Sequence, residues 1–340
     1  MSLRENLLDI CNSNFLPDYS VLMDLSSACV NLLENEDSSY RPRERTQKKL
    51  SGGLLNFCKE SKNLPVIVIP DIHARFYFLM HILDFKIDVD CKKMSVLQAL
   101  EKNLIYVICV GDLFHSEVRA YSRWKKAYAA FKDGNPTSEP MCEEMIENLK
   151  TVQIVMKLKL AFPGNFHCLK GNHENILNEE GRGNHSFYKM ALEGEMFYNF
   201  MREKYDDALI YMWSCFEHSL PLCAVFPNLV VSHAEPAFVL NKTKIINFRD
   251  NPEVVLALTW TANGKAQVGS VSKSIKNLVG KDCAKVVWLA GHRPVVQRYA
   301  LRQRGKFIQI HNPNMENIAF VRPFQKFNPE TDILSVLKEE

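Results

Sequence analysis

Five short apolar runs in this 340-residue chain each stop at a residue type that binds metals. Val66-Ile67-Val68-Ile69-Pro70 leads into Asp71 and His73, and Ile105-Tyr106-Val107-Ile108-Cys109-Val110 into Gly111-Asp112. Phe166-His167-Cys168-Leu169 leads into Lys170-Gly171-Asn172-His173-Glu174. Leu229-Val230-Val231 runs into Ser232-His233, and Val286-Val287-Trp288-Leu289-Ala290 into Gly291-His292. An apolar run without polar alternation is how a strand reads when both of its faces are buried. In open α/β sheets, ligands collect in the crevice outside the strand ends. A lone Asp-x-His arises by chance, but five such endings in one chain require a fold that gathers strand tips at one edge. Asp71 and His73, two residues apart, share one side of an extended strand end.

Between these runs the pattern is helical over 75–85, 117–131, 141–160 and 185–217, and again near 252–258, with Asn175-Ile176-Leu177 opening a further helix. A turn falls at Lys132-Asp133-Gly134-Asn135-Pro136. Further strands are expected at 221–225, 295–301, 306–310 and 317–322, the middle pair joined at Gln303-Arg304-Gly305. The expected class is α/β (α+β): a sandwich of β-sheets flanked by helices. Residues 1–60 read as an N-terminal helical extension, with periodicity through Leu7, Ile10 and Cys11, then Leu22, Leu25 and Leu33, broken at Pro17. The main domain is expected over 61–325, with a helical insert at about 174–220 and a tail at 326–340. Arg41-Pro42-Arg43-Glu44-Arg45, with Lys48 and Lys49, reads as a solvated linker or as a dock for an anion or partner.

Net charge of +3 argues for neither nucleic acid nor membrane as a partner. No apolar run approaches the roughly 20 residues of a membrane span. The first residues carry Glu5 and no apolar signal stretch, so a cytoplasmic location is expected. Ten cysteines lack any CxxC pairing and read as reduced thiols. The ligand types at the strand ends are Asp71, His73, Asp112, Asn172, His233 and His292. This mixture of hard oxygens and imidazoles suits Mn²⁺, Fe or Zn²⁺ better than Ca²⁺.

Taken in order, Asp-x-His, Gly-Asp, Gly-Asn-His-Glu, His and Gly-His resemble the calcineurin-like metallophosphoesterase superfamily over about residues 64–322. Lys170 before Gly-Asn-His-Glu, Ser232-His233-Ala234-Glu235 and Leu258-Thr259-Trp260 are most similar to the serine/threonine protein phosphatase branch, which the bacterial diadenosine tetraphosphate hydrolases share. The resemblance implies a metallophosphoesterase-type β-sandwich of two mixed sheets and two divalent metal ions, Mn²⁺ first, with Fe or Zn²⁺ as alternatives. By position, Asp71 and His73 would hold the first ion, Asp112 would bridge, and Asn172, His233 and His292 would hold the second. Such a pair, roughly 3.5–4 Å apart, would ionise a shared water and shield phosphate oxygens during in-line attack. His173, beside a ligand, would stabilise the transition state or protonate the leaving oxygen.

The chain departs from the family pattern at identifiable positions. Pro70 and Ala74 replace two glycines, which is tolerable where the dihedrals are negative. His115 and Ser116 stand where protein phosphatases carry an Asp and an Arg, and Glu117 is a substitute carboxylate. Arg75, Arg293 and His115 are the candidates to face the substrate. Pro294 replaces a second histidine, so the first ion is expected to keep an open position. The implied function is a metal-dependent phosphohydrolase acting on phosphomonoesters of a phosphoprotein, phosphoserine or phosphothreonine included, or of a small metabolite. The alternatives are a hydrolase of dinucleoside polyphosphates or cyclic nucleotides, and a catalytically weak metal-binding protein.

Overall fold

The computed structural model describes residues 2–46, 50–58, 63–280 and 283–337; Lys48 and Lys49 of the basic stretch lie outside them. Two sheets face each other. The first has five strands in the order β13 (Ile333–Ser335), β12 (Asn317–Val321), β2 (Val66–Ile69), β5 (Tyr106–Cys109) and β6 (Phe166–Cys168). The second has six: β1 (Leu54–Asn56), β7 (Cys223–Phe226), β8 (Leu229–Ser232), β9 (Val287–Ala290), β11 (Phe307–Gln309) and β10 (Ala300–Arg302). A separate hairpin pairs β3 (Lys86–Val89) with β4 (Lys92–Ser95).

Alternation along each strand explains why the runs carry no polar residues. Val66, Val68, Tyr106 and Ile108 point between the sheets, against Ala224, Val231, Leu289 and Ile308. Their neighbours Ile67, Ile69, Val107 and Cys109 point outward into helices. That outer layer comprises α1 (Leu3–Asn12), α2 (Tyr19–Glu34), α3 (Phe76–Asp84), α4 (Val96–Glu101), α5 (Tyr121–Lys132), α6 (Glu139–Ala161), α7 (Glu193–Lys204) and α8 (Asp207–Ser219). The far face of the second sheet, with Val225, Val230, Trp288 and Phe307, is covered by α9 (Lys242–Ile246), α10 (Pro252–Thr259) and α11 (Ser270–Val279). A short α12 (Pro329–Asp332) precedes β13.

Strands β2, β5 and β6 run parallel to one another, as do β8, β9 and β11. Their C-terminal ends therefore open together, and the candidate ligands follow those ends.

The sandwich is present, as is the break at Pro17 between α1 and α2, and the strands expected over 65–69, 104–110 and 166–170 appear as the shorter β2, β5 and β6. Four segments differ. Asn175-Ile176-Leu177 opens no helix: Asn175 Oδ1 accepts from Glu179 N (3.0 Å), and its Nδ2 donates to the carbonyls of Glu179 (3.0 Å) and His185 (3.1 Å). A side chain that bonds neighbouring backbone offers the chain an alternative to helix, and the insert is irregular until Glu193. The strand expected over 295–301 is reduced to β10. The N-terminal segment supplies β1 as well as helices, pairing in parallel with β7, and the C-terminal tail supplies β13 against β12.

Arg41, expected in a solvated stretch or a dock, is fully buried. Its Nε donates to Gly52 O (2.9 Å) and its Nη1 to Leu33 O (3.0 Å) and Glu36 (2.5 Å). Glu36 also accepts from Lys159 Nζ (2.5 Å), which itself lies 3.1 Å from His167 Nδ1. All ten cysteines are unpaired, five of them buried, so thiols pack the interior without staples. No helix among the described residues is long and apolar enough to cross a membrane.

Candidate metal centre

The tips after β2, β5 and β9 turn sharply at or beside their ligands. Left-handed backbone occurs at His73 (φ 47°), Ala74 (φ 57°), Asp112 (φ 50°), His115 (φ 77°), Glu117 (φ 57°) and His292 (φ 66°). Non-glycine residues there are strained by about 1–2 kcal/mol each, and such strain persists only where surrounding structure enforces it. Ala74 thus does not take the negative dihedral anticipated for it; its N–H is instead held by Leu113 O at 2.9 Å. Cross-loop bonds do the enforcing. His73 N–H donates to Asp112 O (2.7 Å) and Gly291 N–H to His233 O (2.9 Å). The buried Glu174 carboxylate collects the N–H groups of Asp112 (3.0 Å), Leu113 (2.8 Å) and Gly171 (2.6 Å). Gly291 is required by close approach: a Cβ there would lie 1.7 Å from Asp71 Oδ1.

All six residues singled out from sequence converge, and all are buried. His73 Nδ1 bonds the carbonyl of Phe114 (3.0 Å), and His233 Nδ1 that of Val110 (3.2 Å). A carbonyl accepts only, so each Nδ1 carries the proton and each Nε2 presents a lone pair inward, the orientation that metal-binding imidazoles use. The lone pair of His73 Nε2 meets Asp112 Oδ2 at 3.6 Å and Asp71 Oδ2 at 4.0 Å. That of His233 meets Asn172 Oδ1 (3.0 Å), His292 Nδ1 (3.2 Å) and Asp112 Oδ2 (3.5 Å). Asn172 Oδ1 is also 2.8 Å from His292 Nδ1. Asp112 therefore stands between two groups: Asp71 with His73, and Asn172 with His233 and His292.

The donors fit cations. His73 Nε2 is buried without a hydrogen-bond partner, a condition that costs about 1–3 kcal/mol for a polar group. Burial pushes the Asp71 carboxyl up to about 6. Burial, and then the charge of Asp71, push Asp112 well above the usual carboxylate range. Burial likewise holds the imidazoles of His73 and His233 well below their ordinary values, and that of His292 down to about 3. Neutral imidazoles beside like-charged carboxylates are the electrostatic complement of a divalent ion. Ligand atoms of Asp71, Asp112 and His233 lie within 4.8 Å of one another, as do those of Asp71, His73 and His311, and either set could hold one.

The residues expected to face the substrate sit as follows. His173 is buried against Phe187 (4.3 Å between ring centres), with Nδ1 unpartnered and Nε2 3.8 Å from Asp112 Oδ2. His115 is buried and stacked on Trp124 (5.0 Å); its Nε2 is 3.3 Å from Glu193 Oε1 and its Nδ1 accepts from Glu117 N (3.3 Å). Its ring faces the centre nonetheless: ligand atoms of His73, His115 and His173 lie within 4.8 Å of one another, a third set that could hold a cation. The Arg75 guanidinium donates to the carbonyls of Asp71 (2.7 Å), Ile72 (3.1 Å), Met315 (3.1 Å) and Asn312 (3.5 Å), and acts as a brace beneath the first tip. Arg293 is exposed at the rim, directly after His292.

Three residues not singled out as ligands or substrate contacts line the same space. Glu117 Oε1 is 3.4 Å from His73 Nε2, and Lys189 Nζ is 3.2 Å from that same oxygen. His311 follows β11 and lies 3.8 Å from Asp71. The reading of strand ends that found the other five tips extends to this sixth one, since an expected strand at 306–310 runs directly into His311. Lys189 reaches the site from the irregular part of the insert and Glu193 from the first residue of α7, and neither placement leaves a local signal.

The calcineurin-like phosphoesterase family model matches residues 64–308. Among solved structures, a protein serine/threonine phosphatase from Saccharomyces cerevisiae with similarity to human phosphatase PP5 is 14% identical; the match covers 98% of this chain and 95% of that one, with a TM-score of 0.59. A cold-active protein-tyrosine phosphatase of a psychrophilic Shewanella is 11% identical over 76% of this chain and 75% of its own, with a TM-score of 0.42. At these identities the likeness speaks to fold, and only the first is close enough to do so. No curated protein matches the chain.

Proposed function

This chain belongs to the calcineurin-like phosphoesterase family, and from that premise we propose that it is a cytoplasmic hydrolase of phosphomonoesters that works with two divalent metal ions. Membership makes it a phosphate-ester hydrolase; the number of ions, manganese as their identity, and a phosphorylated protein or small phosphoester as substrate are the proposed refinements. The observation that carries the reading is the pair of inward lone pairs on His73 and His233, each fixed by a backbone carbonyl, on either side of Asp112. Asp71, His73 and Asp112 would hold one ion, and Asp112, Asn172, His233 and His292 the other. Bound there, such ions supply Lewis-acid activation of water and charge compensation for a phosphoryl group.

The chain's own groups supply the rest. His173 Nδ1 has no protein partner and would hold the proton destined for the leaving oxygen. Burial lowers this imidazole well below its ordinary value, so an arriving phosphate dianion is the counter-charge that would let it carry that proton. Lys189 and Arg293, both exposed at the rim, take the place of the absent second-motif arginine as cations facing phosphate. Phe187, packed on His173, excludes water from one side. Ten unpaired cysteines support a reducing compartment.

Metal-stripped protein assayed with p-nitrophenyl phosphate should turn over only when Mn²⁺ is restored, and Asp112→Asn should lower kcat by at least ~10³-fold without altering the circular dichroism. Metal-independent turnover, or an active Asp112→Asn, would refute the reading. A parallel panel of phosphopeptides, mononucleotides and diadenosine polyphosphates separates a phosphomonoesterase from a nucleotide hydrolase.

A further inference from the structure

We propose that Glu117 and His311 complete the first cation site, so that Asp71, His73, Glu117 and His311 enclose one ion together with the shared Asp112. The proposal rests on the two-ion reading above and goes beyond its ligand set.

His311 is fully buried, and neither ring nitrogen has a hydrogen-bond partner. An imidazole that merely filled core would bond at least one nitrogen, because leaving both unpaired costs about 1–3 kcal/mol apiece. Its surroundings are ionic rather than apolar. Nδ1 lies 3.8 Å from Asp71 Oδ2, Nε2 lies 3.4 Å from Glu117 Oε2, and the ring centre is 5.2 Å from that of His73. Ligand atoms of Asp71, His73 and His311 fall within 4.8 Å of one another.

Glu117 closes the remaining side. Its other oxygen, Oε1, is 3.4 Å from the inward Nε2 of His73. It is held there by a backbone at φ 57°, a strained conformation for a side chain of this size. Lys189 meets only Oε1, from the solvent edge, and leaves Oε2 facing His311.

The geometry thus fills from β11 and from the second tip the position that Pro294 leaves vacant in the sequence pattern. Two imidazoles among carboxylates select a borderline first-row ion over Mg²⁺ or Ca²⁺, which prefer oxygen alone. The competing explanation is that His311 is a protonated counter-ion of Asp71 and Glu117. On that account its loss would alter stability and leave metal uptake untouched.

Metal uptake by the full-length chain, stripped with chelator, separates the two. Mn²⁺, Co²⁺ and Mg²⁺ are titrated calorimetrically, bound metal is counted by mass spectrometry, and the Co²⁺ absorption spectrum reports coordination number. Wild type should take up two equivalents of Mn²⁺ or Co²⁺ and bind Mg²⁺ far more weakly. His311→Gln and, separately, the isosteric Glu117→Gln should weaken one equivalent by at least ~10-fold and change the Co²⁺ spectrum, leaving the other equivalent as in wild type. His292→Ala should weaken the opposite equivalent. Two wild-type equivalents with unchanged affinities in both Gln variants would overturn the proposal while leaving the two-ion reading intact. Wild-type protein that takes up fewer than two equivalents would overturn that reading itself.

Discussion

Replacing Gly291 with alanine tests the junction on which the whole centre depends. The added methyl carbon would lie 1.7 Å from Asp71 Oδ1, 2.7 Å from Asp71 Cγ and 3.0 Å from Val110 Cγ2. Gly291 is not among the left-handed residues, so the alanine backbone itself is tolerated and the effect is steric. A contact of 1.7 Å must open by about 2 Å to reach ordinary packing distance. The carboxylate is the part that must move, because Gly291 is pinned by its bond to His233 O (2.9 Å). Moving it breaks the hydrogen bonds from His292 N to Asp71 Oδ2 (2.8 Å) and Oδ1 (3.1 Å). A hydrogen bond to a charged group contributes about 1.5–3 kcal/mol, and overpacking adds about 1–3 kcal/mol. We therefore expect Gly291→Ala to lose about 2.5–6 kcal/mol of stability and at least ~100-fold in activity, since a 1 Å misplacement in a catalytic constellation is felt at that scale.

Gly164→Ala is the matched control: no atom lies within 4 Å of its added Cβ, and its φ is likewise not left-handed. That variant should unfold at the wild-type denaturant midpoint or slightly above it, by up to about 1 kcal/mol. Chemical denaturation of both variants, with Mn²⁺ uptake measured in parallel, decides the matter. Gly291→Ala with wild-type midpoint, metal content and turnover would mean that Asp71 does not lie against the fifth strand tip, and the ligand geometry would fall with it.

Two further outcomes concern buried charge away from the strand tips. Glu36→Gln leaves Arg41 and Lys159 buried without their carboxylate and should cost about 3–5 kcal/mol in denaturant unfolding. Despite burial, Arg41 and Lys159 hold the Glu36 carboxyl far below the usual range. Its contribution is therefore present above pH 4.5 and lost on acidification, and the variant should flatten that limb of the stability profile. Glu217 is the opposite case: burial pushes its carboxyl up to about 8, so the folded state retains a proton that the unfolded chain releases above 4.5. Stability from this group is complete below pH 4.5 and falls by several kcal/mol as pH rises toward 8. Glu217→Gln should remove that decline, and an unchanged profile would show that Lys170, not a proton, balances Glu217.

How much was legible in sequence follows from the range over which each signal acts. A strand buried on both faces writes itself as an unbroken apolar run, and its ligand follows within a residue or three; Asp71, Asp112, Asn172, His233 and His292 were found in that way. The long α6 and the break at Pro17 are equally local signals. β1 is three residues long and finds its partner β7 about 170 residues onward, so no periodicity could announce it. Arg41 sits in a charged stretch whose composition suggests solvent, yet its partners are the Glu36 carboxylate and carbonyls that include those at the ends of α2 and α8. Asn175 imitates a helix start by pattern and prevents one by side-chain bonding. Lys189 and Glu193 meet Glu117 and His115 only because an irregular loop folds back across the centre.

The centre is held together against its own electrostatics. Among the described residues, six of the fourteen non-glycine residues with left-handed φ are His73, Ala74, Asp112, His115, Glu117 and His292, so backbone strain is concentrated where the carboxylates of Asp71, Asp112 and Glu117 are also brought together. Neither feature stabilises the chain alone. Both are opposed by a scaffold of backbone hydrogen bonds, in the three N–H groups gathered by Glu174 and the four carbonyls gathered by Arg75. Those bonds fix the loops without neutralising the inward carboxylates or satisfying the lone pairs of His73 and His233. What would relieve both at once is positive charge with no proton to donate, and a divalent cation is the species that meets that requirement. The sandwich therefore acts as a clamp: its apolar core supplies the stability, and the six parallel strand ends carry the strain and charge that make the site receptive.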